Sequence, residues 1–246
     1  MFRISILFLL FFSFSHAKSI HVDYTIEFGI FGEVAQAKAT LVSSKKRYTI
    51  EANVTAIGYM AKVISKNLKE RHISKGYIKN RLLFSNMYQM IKSYGIYKST
   101  TIYQVDHKKR SVTKHYKRWK KKKKESDAKM RLGYYAPDDL ISFFLNLSKH
   151  IKEKYQYRKY TFKVTGADRK NGRVDVIIPP KKDLLEMKKL LGGLSEGEWY
   201  ARVIMYRKLY HSKKGELLVR IGRTGLVEKA VLKDLIFFGD VRIIKQ

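Results

Sequence analysis

Five consecutive residues, Gly193-Leu194-Ser195-Glu196-Gly197, match the G-x-S-x-G pattern that presents a nucleophilic serine in one class of hydrolases. That pattern works where a strand turns sharply into a helix above a parallel sheet, beside an oxyanion hole. Here the order is reversed. A helical segment precedes Ser195 and a strand beginning near Trp199 follows, so the segment reads as a glycine-rich connector. The histidines after the first seventeen residues are His21, His72, His107, His115, His150 and His211. No two of them stand at i, i+4 on a predicted helix with a carboxylate between, and a zinc site needs three or four converging ligands. His107 and His115 are the nearest pair, one in a turn and one on the following strand. Asp138 and Asp139 are adjacent carboxylates at a helix start, where capping and dipole complementarity explain them. Asp168 with Asn171-Gly172 resembles a fragment of a calcium loop but lacks the later glutamate, which leaves a hairpin turn. No catalytic residue, metal ligand or cofactor is expected.

The remaining chemistry is cationic and aromatic. Lys108, Lys109, Arg110, Lys114, Tyr116, Lys117, Arg118, Trp119, Lys120, Lys121, Lys122, Lys123 and Lys124 fall within seventeen positions. Interleaved aromatics and cations can stack on bases and neutralise phosphates, as single-stranded nucleic-acid sites do. They can equally dock on an anionic membrane surface, where each lysine contributes about 1 kcal/mol of attraction.

Compartment decides between these partners. Residues 1–17, "MFRISILFLLFFSFSHA", carry a single charge at Arg3, an apolar run from Ile4 to Phe14 and small residues at Ser15 and Ala17. This is the pattern of a secretory signal cleaved after Ala17, so the protein is expected in the periplasm, away from chromosomal DNA. Nucleic acid is therefore disfavoured as a partner, and lipid phosphates, lipopolysaccharide and acidic wall polymers take its place. Lys and Arg number 52 against 21 Asp and Glu, a formal charge of +31, so the surface attracts polyanions. Cysteine is absent, which excludes disulfides, a lipid-attachment cysteine, a thiol nucleophile and thiolate metal sites.

The elements that must position these residues show a period of two. Val22, Tyr24, Ile26, Phe28 and Ile30 alternate with polar residues. After the break at Phe31-Gly32, the unusually small set Ala35, Ala37, Ala39 and Leu41 does the same, and Tyr48, Ile50, Ala52 and Val54 give a third strand. The short alanines leave room on a concave face or accommodate the packed helix after Pro137. Ala56–Asn67 fits a short helix or a bulged strand. "RHISKGYIKNRLL" reads as two strands about a turn at Lys75-Gly76. Ile96–Val105 and Ser111–Trp119 form a hairpin about residues 106–109, and the five lysines at 120–124 begin an exposed, mobile loop reaching to about Gly133.

After Pro137, Leu140, Phe143, Phe144, Leu147 and Ile151 form the apolar stripe of a helix. Tyr160, Phe162 and Val164, then Val174, Val176 and Ile178, make a strand pair. A second helix spans about Lys181 to Leu191, with Leu184, Met187 and Leu191 on one side, and ends at Gly192-Gly193. Trp199–Leu209, Leu217–Ile221 and Leu226–Phe237 complete the chain as three strands. The fold class is mainly β: residues 18–246 form one strongly curved antiparallel sheet, half-barrel-like, with one or two packed helices.

In order and spacing, "YTIEFGIFGEVAQAKATL", "HISKGYIKN", "IYQVDHKKRSVTKHY", "APDDLISFFLNL" and "GLVEKAVLKDLIFFGDV" resemble exported proteins grouped as domain-of-unknown-function family 3108. The resemblance implies an envelope protein of Gram-negative bacteria whose curved sheet is similar to the half-barrels of lipoprotein carriers. It transfers no activity, and the lysine content departs from the family's usual composition. The leading expectation is a non-enzymatic binding or carrier protein for an apolar ligand or lipid, oriented by its basic hairpin. Second comes an interaction protein docking on anionic envelope components, and last a hydrolase using Ser195.

Overall fold

The structure, a computed structural model, describes residues 18–63, 66–167, 171–206, 216–235 and 239–246. The leader, Asp168, His211 and the ends of two expected strands at 207–209 and 236–237 lie outside the described residues.

The first half of the chain is an antiparallel run. Strands β1 (Lys18–Phe28), β2 (Glu33–Ser43) and β3 (Arg47–Ala56) form the expected meander. A short helix α1 (Gly58–Val63) separates it from β4 (Lys69–Lys79), β5 (Leu82–Tyr94), β6 (Tyr97–Asp106), β7 (Ser111–Lys120) and β8 (Lys123–Arg131). The second half opens on the two-residue strand β9 (Asp138–Asp139) and helix α2 (Leu140–His150). Strands β10 (Arg158–Thr165) and β11 (Arg173–Ile178), helix α3 (Leu184–Leu191), and strands β12 (Trp199–Met205), β13 (Glu216–Ile221), β14 (Val227–Leu235) and β15 (Gly239–Lys245) follow. All fifteen strands belong to one unclosed, curved sheet in the order β8-β7-β6-β5-β4-β3-β2-β1-β15-β14-β13-β12-β11-β10-β9. Every pairing is antiparallel except β9 with β10.

Three expectations are corrected. The lysine-rich loop at 120–133 is instead a tight turn, with Lys121 at φ 52, followed by β8, which pairs with β7 from Lys120↔Lys123 to Thr113↔Arg131. Backbone pairing outweighs lysine repulsion there because the edge strand's side chains are mostly exposed and solvated, and edge lysines also discourage further strand addition. The turn read at Lys75-Gly76 lies at Asn80-Arg81, both with positive φ, the signature of a two-residue hairpin turn. Gly76 sits mid-strand because a Cβ there would stand 1.9 Å from the Phe84 carbonyl oxygen, beside a bulge that leaves Asn86 without a cross-strand partner. The chain also ends in one more strand than expected, since β14 is followed by β15, which pairs with it antiparallel.

Two layers of packing hold the second half together. Phe143, Leu147 and Ile151 of α2 are fully buried against Val164, Val174, Val176, Trp199, Ala201, Val203, Val219 and Ile221 on the concave face. On the convex face, Met187 and Leu191 of α3 cover Tyr200, Leu218 and Val231. Leu184 is exposed and takes no part.

The β9 end of the sheet curls back to β4 and β5 without continuing the ladder. Ser85 N–H donates to the Pro137 carbonyl at 2.9 Å. The Asn146 amide on α2 then substitutes for a strand: Leu83 N–H donates to its Oδ1 at 3.0 Å, and its Nδ2 donates to Leu83 O at 2.8 Å and to Asp138 Oδ1 at 2.7 Å. Asp139 caps α2 in a capping box with Ser142 and accepts a short hydrogen bond from Ser74 Oγ, which lies 3.1 Å from the Tyr48 hydroxyl. Burial pushes the Asp139 carboxyl above its ordinary range.

Candidate functional site

Helix α2 has two apolar sides. One is the core stripe; the other, formed by Leu140, Ile141, Phe144 and Leu145, faces a cavity of about 890 Å³. The opposing wall is the concave face of β1 to β5. Ile20, Val22 and Tyr24 come from β1, Ala39 and Leu41 from β2, Ile50 and Ala52 from β3, His72 from β4, and Leu83 and Tyr88 from β5. Alternation puts every second residue of each strand on this wall, and Ala39 faces Ala52 directly in register. Those two methyl side chains leave the space that leucine or phenylalanine would fill. Of the short alanines, Ala39 leaves space beneath α2, the helix after Pro137, while Ala35 is buried near the other helix α1.

The volume lies near the upper end of the roughly 300–1,000 Å³ of small-molecule sites. Its lining is hydrocarbon with few polar atoms, and none of its residues is acidic. One polar relay reaches it. His72 Nδ1 lies 2.9 Å from the Tyr88 hydroxyl, its Nε2 lies 3.2 Å from Glu70 Oε2, and Lys92 Nζ lies 2.6 Å from Glu70 Oε1. Burial raises the Glu70 carboxyl, but the hydrogen bonds from His72 and Lys92 outweigh it and hold the group at about 2.

A folded-state value below the ordinary 4.5 means that Glu70 stabilises the fold above that pH, and that this contribution is lost between about 4.5 and 2. Glu70→Gln is expected to remove roughly 2 kcal/mol at pH 7 and to flatten the acid limb of the stability curve. Urea denaturation across pH 2–7 tests this; parallel wild-type and variant curves would refute it.

The sequence-predicted cationic residues are not one patch. Lys108, Lys109 and Arg110 occupy the β6–β7 turn, and Lys120–Lys124 the β7–β8 turn at the other end of a ten-residue strand, about 30 Å away. Between them, Lys114, Tyr116 and Arg118 share one face of β7, and Lys117 and Trp119 the other. Several are already engaged. Arg110 lies over the Tyr135 ring at 4.8 Å, Arg118 over Tyr97 at 4.7 Å and beside Glu125 at 3.3 Å, and Lys124 pairs with Asp127 at 3.0 Å. Lys114 lies 5.9 Å over the Tyr103 and Tyr116 rings. Lys120–Lys123 make no ion pair among the described residues.

Other candidates are dispersed. Ser195 is exposed in the connector after α3, and its backbone N–H donates to Glu198 Oε2 at 2.9 Å. His107 contacts Tyr135 and the Ser85 carbonyl, whereas His115 contacts Asp127, so the two rings have separate partners. Among the described residues no group of three His, Cys, Asp or Glu side chains could hold a metal ion. Asp138 does more than complement the helix dipole, since Asn146 and His150 both contact its carboxylate.

No family model matches the chain, and none of the curated proteins does. Among solved structures, a β-barrel-like protein of domain of unknown function DUF1849 from Brucella abortus is similar. The match has a TM-score of 0.50 at 9% identity and covers 94% of this chain and 95% of that one. The likeness is one of fold: a β-barrel-like domain of unknown function, built on a curved antiparallel sheet.

Proposed function

We propose that the chain is a non-enzymatic binding protein that holds an apolar ligand between the concave sheet and α2. The observation that carries this reading is the cavity of about 890 Å³ with hydrocarbon walls. An unfilled apolar volume of that size forfeits dispersion contacts and hydrophobic burial that a guest would restore. Export belongs to the same proposal: a leader ending at Ala17 would deliver the domain to the periplasm, where acyl chains are the abundant apolar ligands. Kinship with family 3108 enters this proposal only through the order and spacing of the segments that resemble it.

The test is a chain-length series of saturated alcohols titrated below their aggregation limit. Each added methylene contributes about 0.8 kcal/mol when buried, so Kd is expected to tighten about fourfold per carbon until the cavity is full. Absence of saturable binding at every length would overturn the reading.

A second reading is favoured by one observation, the turn at Lys120–Lys123 that opens the exposed edge strand β8 and whose lysines make no ion pair among the described residues. There the domain would dock on an anionic envelope component, with screening by salt as its mark.

A further inference from the structure

One end of the cavity is cationic. Lys18 opens β1 in register with Ser43, the last residue of β2 before the β2–β3 turn. Lys149, in the last turn of α2, donates a short hydrogen bond from Nζ to the carbonyl of Arg81 in the β4–β5 turn. The β13–β14 turn reaches the same end, since a Cβ on Gly225 would lie 3.5 Å from Ser148. Both lysines line the cavity, and among the described residues its lining holds no carboxylate to neutralise them. Neither lysine forms an ion pair among the described residues. The three turns that frame this end carry Lys45, Lys46, Arg81 and Arg223 and no Asp or Glu. Lys149 is exposed at the rim of the cavity, and an ammonium whose hydrogen bond goes to a neutral carbonyl gains a charge-assisted contact from an anionic partner.

Resting on the proposed binding function, we infer that the ligand is a single-chain amphiphile with an anionic head, its chain along α2 and its carboxylate or phosphate at Lys149 and Lys18. The opposing acidic chemistry is absent, so a cationic head would meet two like charges at the same place. Ser148 and Thr224 also line the cavity and offer hydroxyl donors to the head's remaining oxygens.

Calorimetric titration with four dodecyl compounds tests this: dodecanoate, dodecyl phosphate, dodecanol and dodecyltrimethylammonium, with acetate and inorganic phosphate as chainless arms. Dodecanoate and dodecyl phosphate are expected to bind about tenfold or more tightly than dodecanol, since a charge-assisted contact is worth at least that factor. Lys149→Met should erase this advantage, read as the ratio of dodecanoate to dodecanol affinity in the same variant. Lys18→Met, at an exposed strand start, should reduce the advantage without affecting the fold, which keeps the test decisive should loss of the Lys149 contact with Arg81 disturb the helix end. The two anionic chains separate carboxylate from phosphate preference, and the chainless anions should bind weakly. Equal affinity for dodecanol and the anions, or preference for the ammonium, would overturn the inference while leaving the cavity reading intact. Failure of all four chains to bind would instead remove the cavity reading itself.

Discussion

Asn146→Leu is expected to destabilise the protein by about 3–5 kcal/mol although leucine matches asparagine in shape and favours helix. The Asn146 side chain is fully buried and joins the far end of the sheet to β5 by standing in for a missing strand. Leucine would strand three groups at once: the Leu83 N–H, the Leu83 carbonyl and Asp138 Oδ1. Each buried group left without a partner costs about 1–3 kcal/mol, far more than the few tenths recovered through helix propensity. Asn146→Asp sharpens the test. It keeps the acceptor for Leu83 N–H but sets a carboxylate against the Leu83 carbonyl and Asp138, so it should be at least as harmful at neutral pH. Denaturant titration would show the midpoint falling with an unchanged slope. A loss below about 1 kcal/mol for either variant would mean that other groups close the sheet.

This closure illustrates what sequence patterning can and cannot carry. Strands with one buried and one solvated face advertise themselves by alternation, which is why β2, β3, β6, β7, β10 and β11 were legible within a residue or two. By contrast, β1 starts at Lys18 rather than Val22, and Ile30, expected on its apolar face, is 92% exposed beyond its end. Edge strand β8 has no buried face, so "KKESDAKMR" lacks the signal although its backbone is fully paired on one side. Gly76 misled because glycine serves two purposes. At turns it supplies positive φ; here it admits the Phe84 carbonyl into the space a Cβ would take. The helix stripe at Phe143, Leu147 and Ile151 was readable from spacing alone. Asn146, on the same helix, was silent, because its role depends on a contact with Leu83 made only when the sheet curls. The cavity was half visible. Three alternating alanines announced space on β2, whereas His72 and Tyr88 joined the wall only through the pairing of β4 with β5. The basic residues, contiguous in sequence, lie at both ends of β7 because ten extended residues separate its two turns.

Filling the cavity from its floor should abolish binding while strengthening the fold. Ala39 and Ala52 are cross-strand partners on the concave wall, and both line the space beneath α2. Ala52→Phe projects an aromatic ring into that volume from a strand position that suits it. The ring displaces about four methylenes of any bound chain, which at about 0.8 kcal/mol each costs about 3 kcal/mol, or more than a hundredfold in Kd. Overpacking is not expected, since the ring enters open space rather than a filled core. Cavity filling of this kind adds about 0.5–2 kcal/mol of stability, so the melting temperature should rise as affinity falls. The opposite signs matter, because a variant that lost binding by misfolding would melt lower. Ala39→Phe should act alike, and the double variant should exceed either alone only until the volume is filled, since neighbouring side chains share it. Undiminished alcohol binding by Ala52→Phe, with the melting temperature raised, would place the ligand elsewhere on the molecule and remove the concave wall from its site.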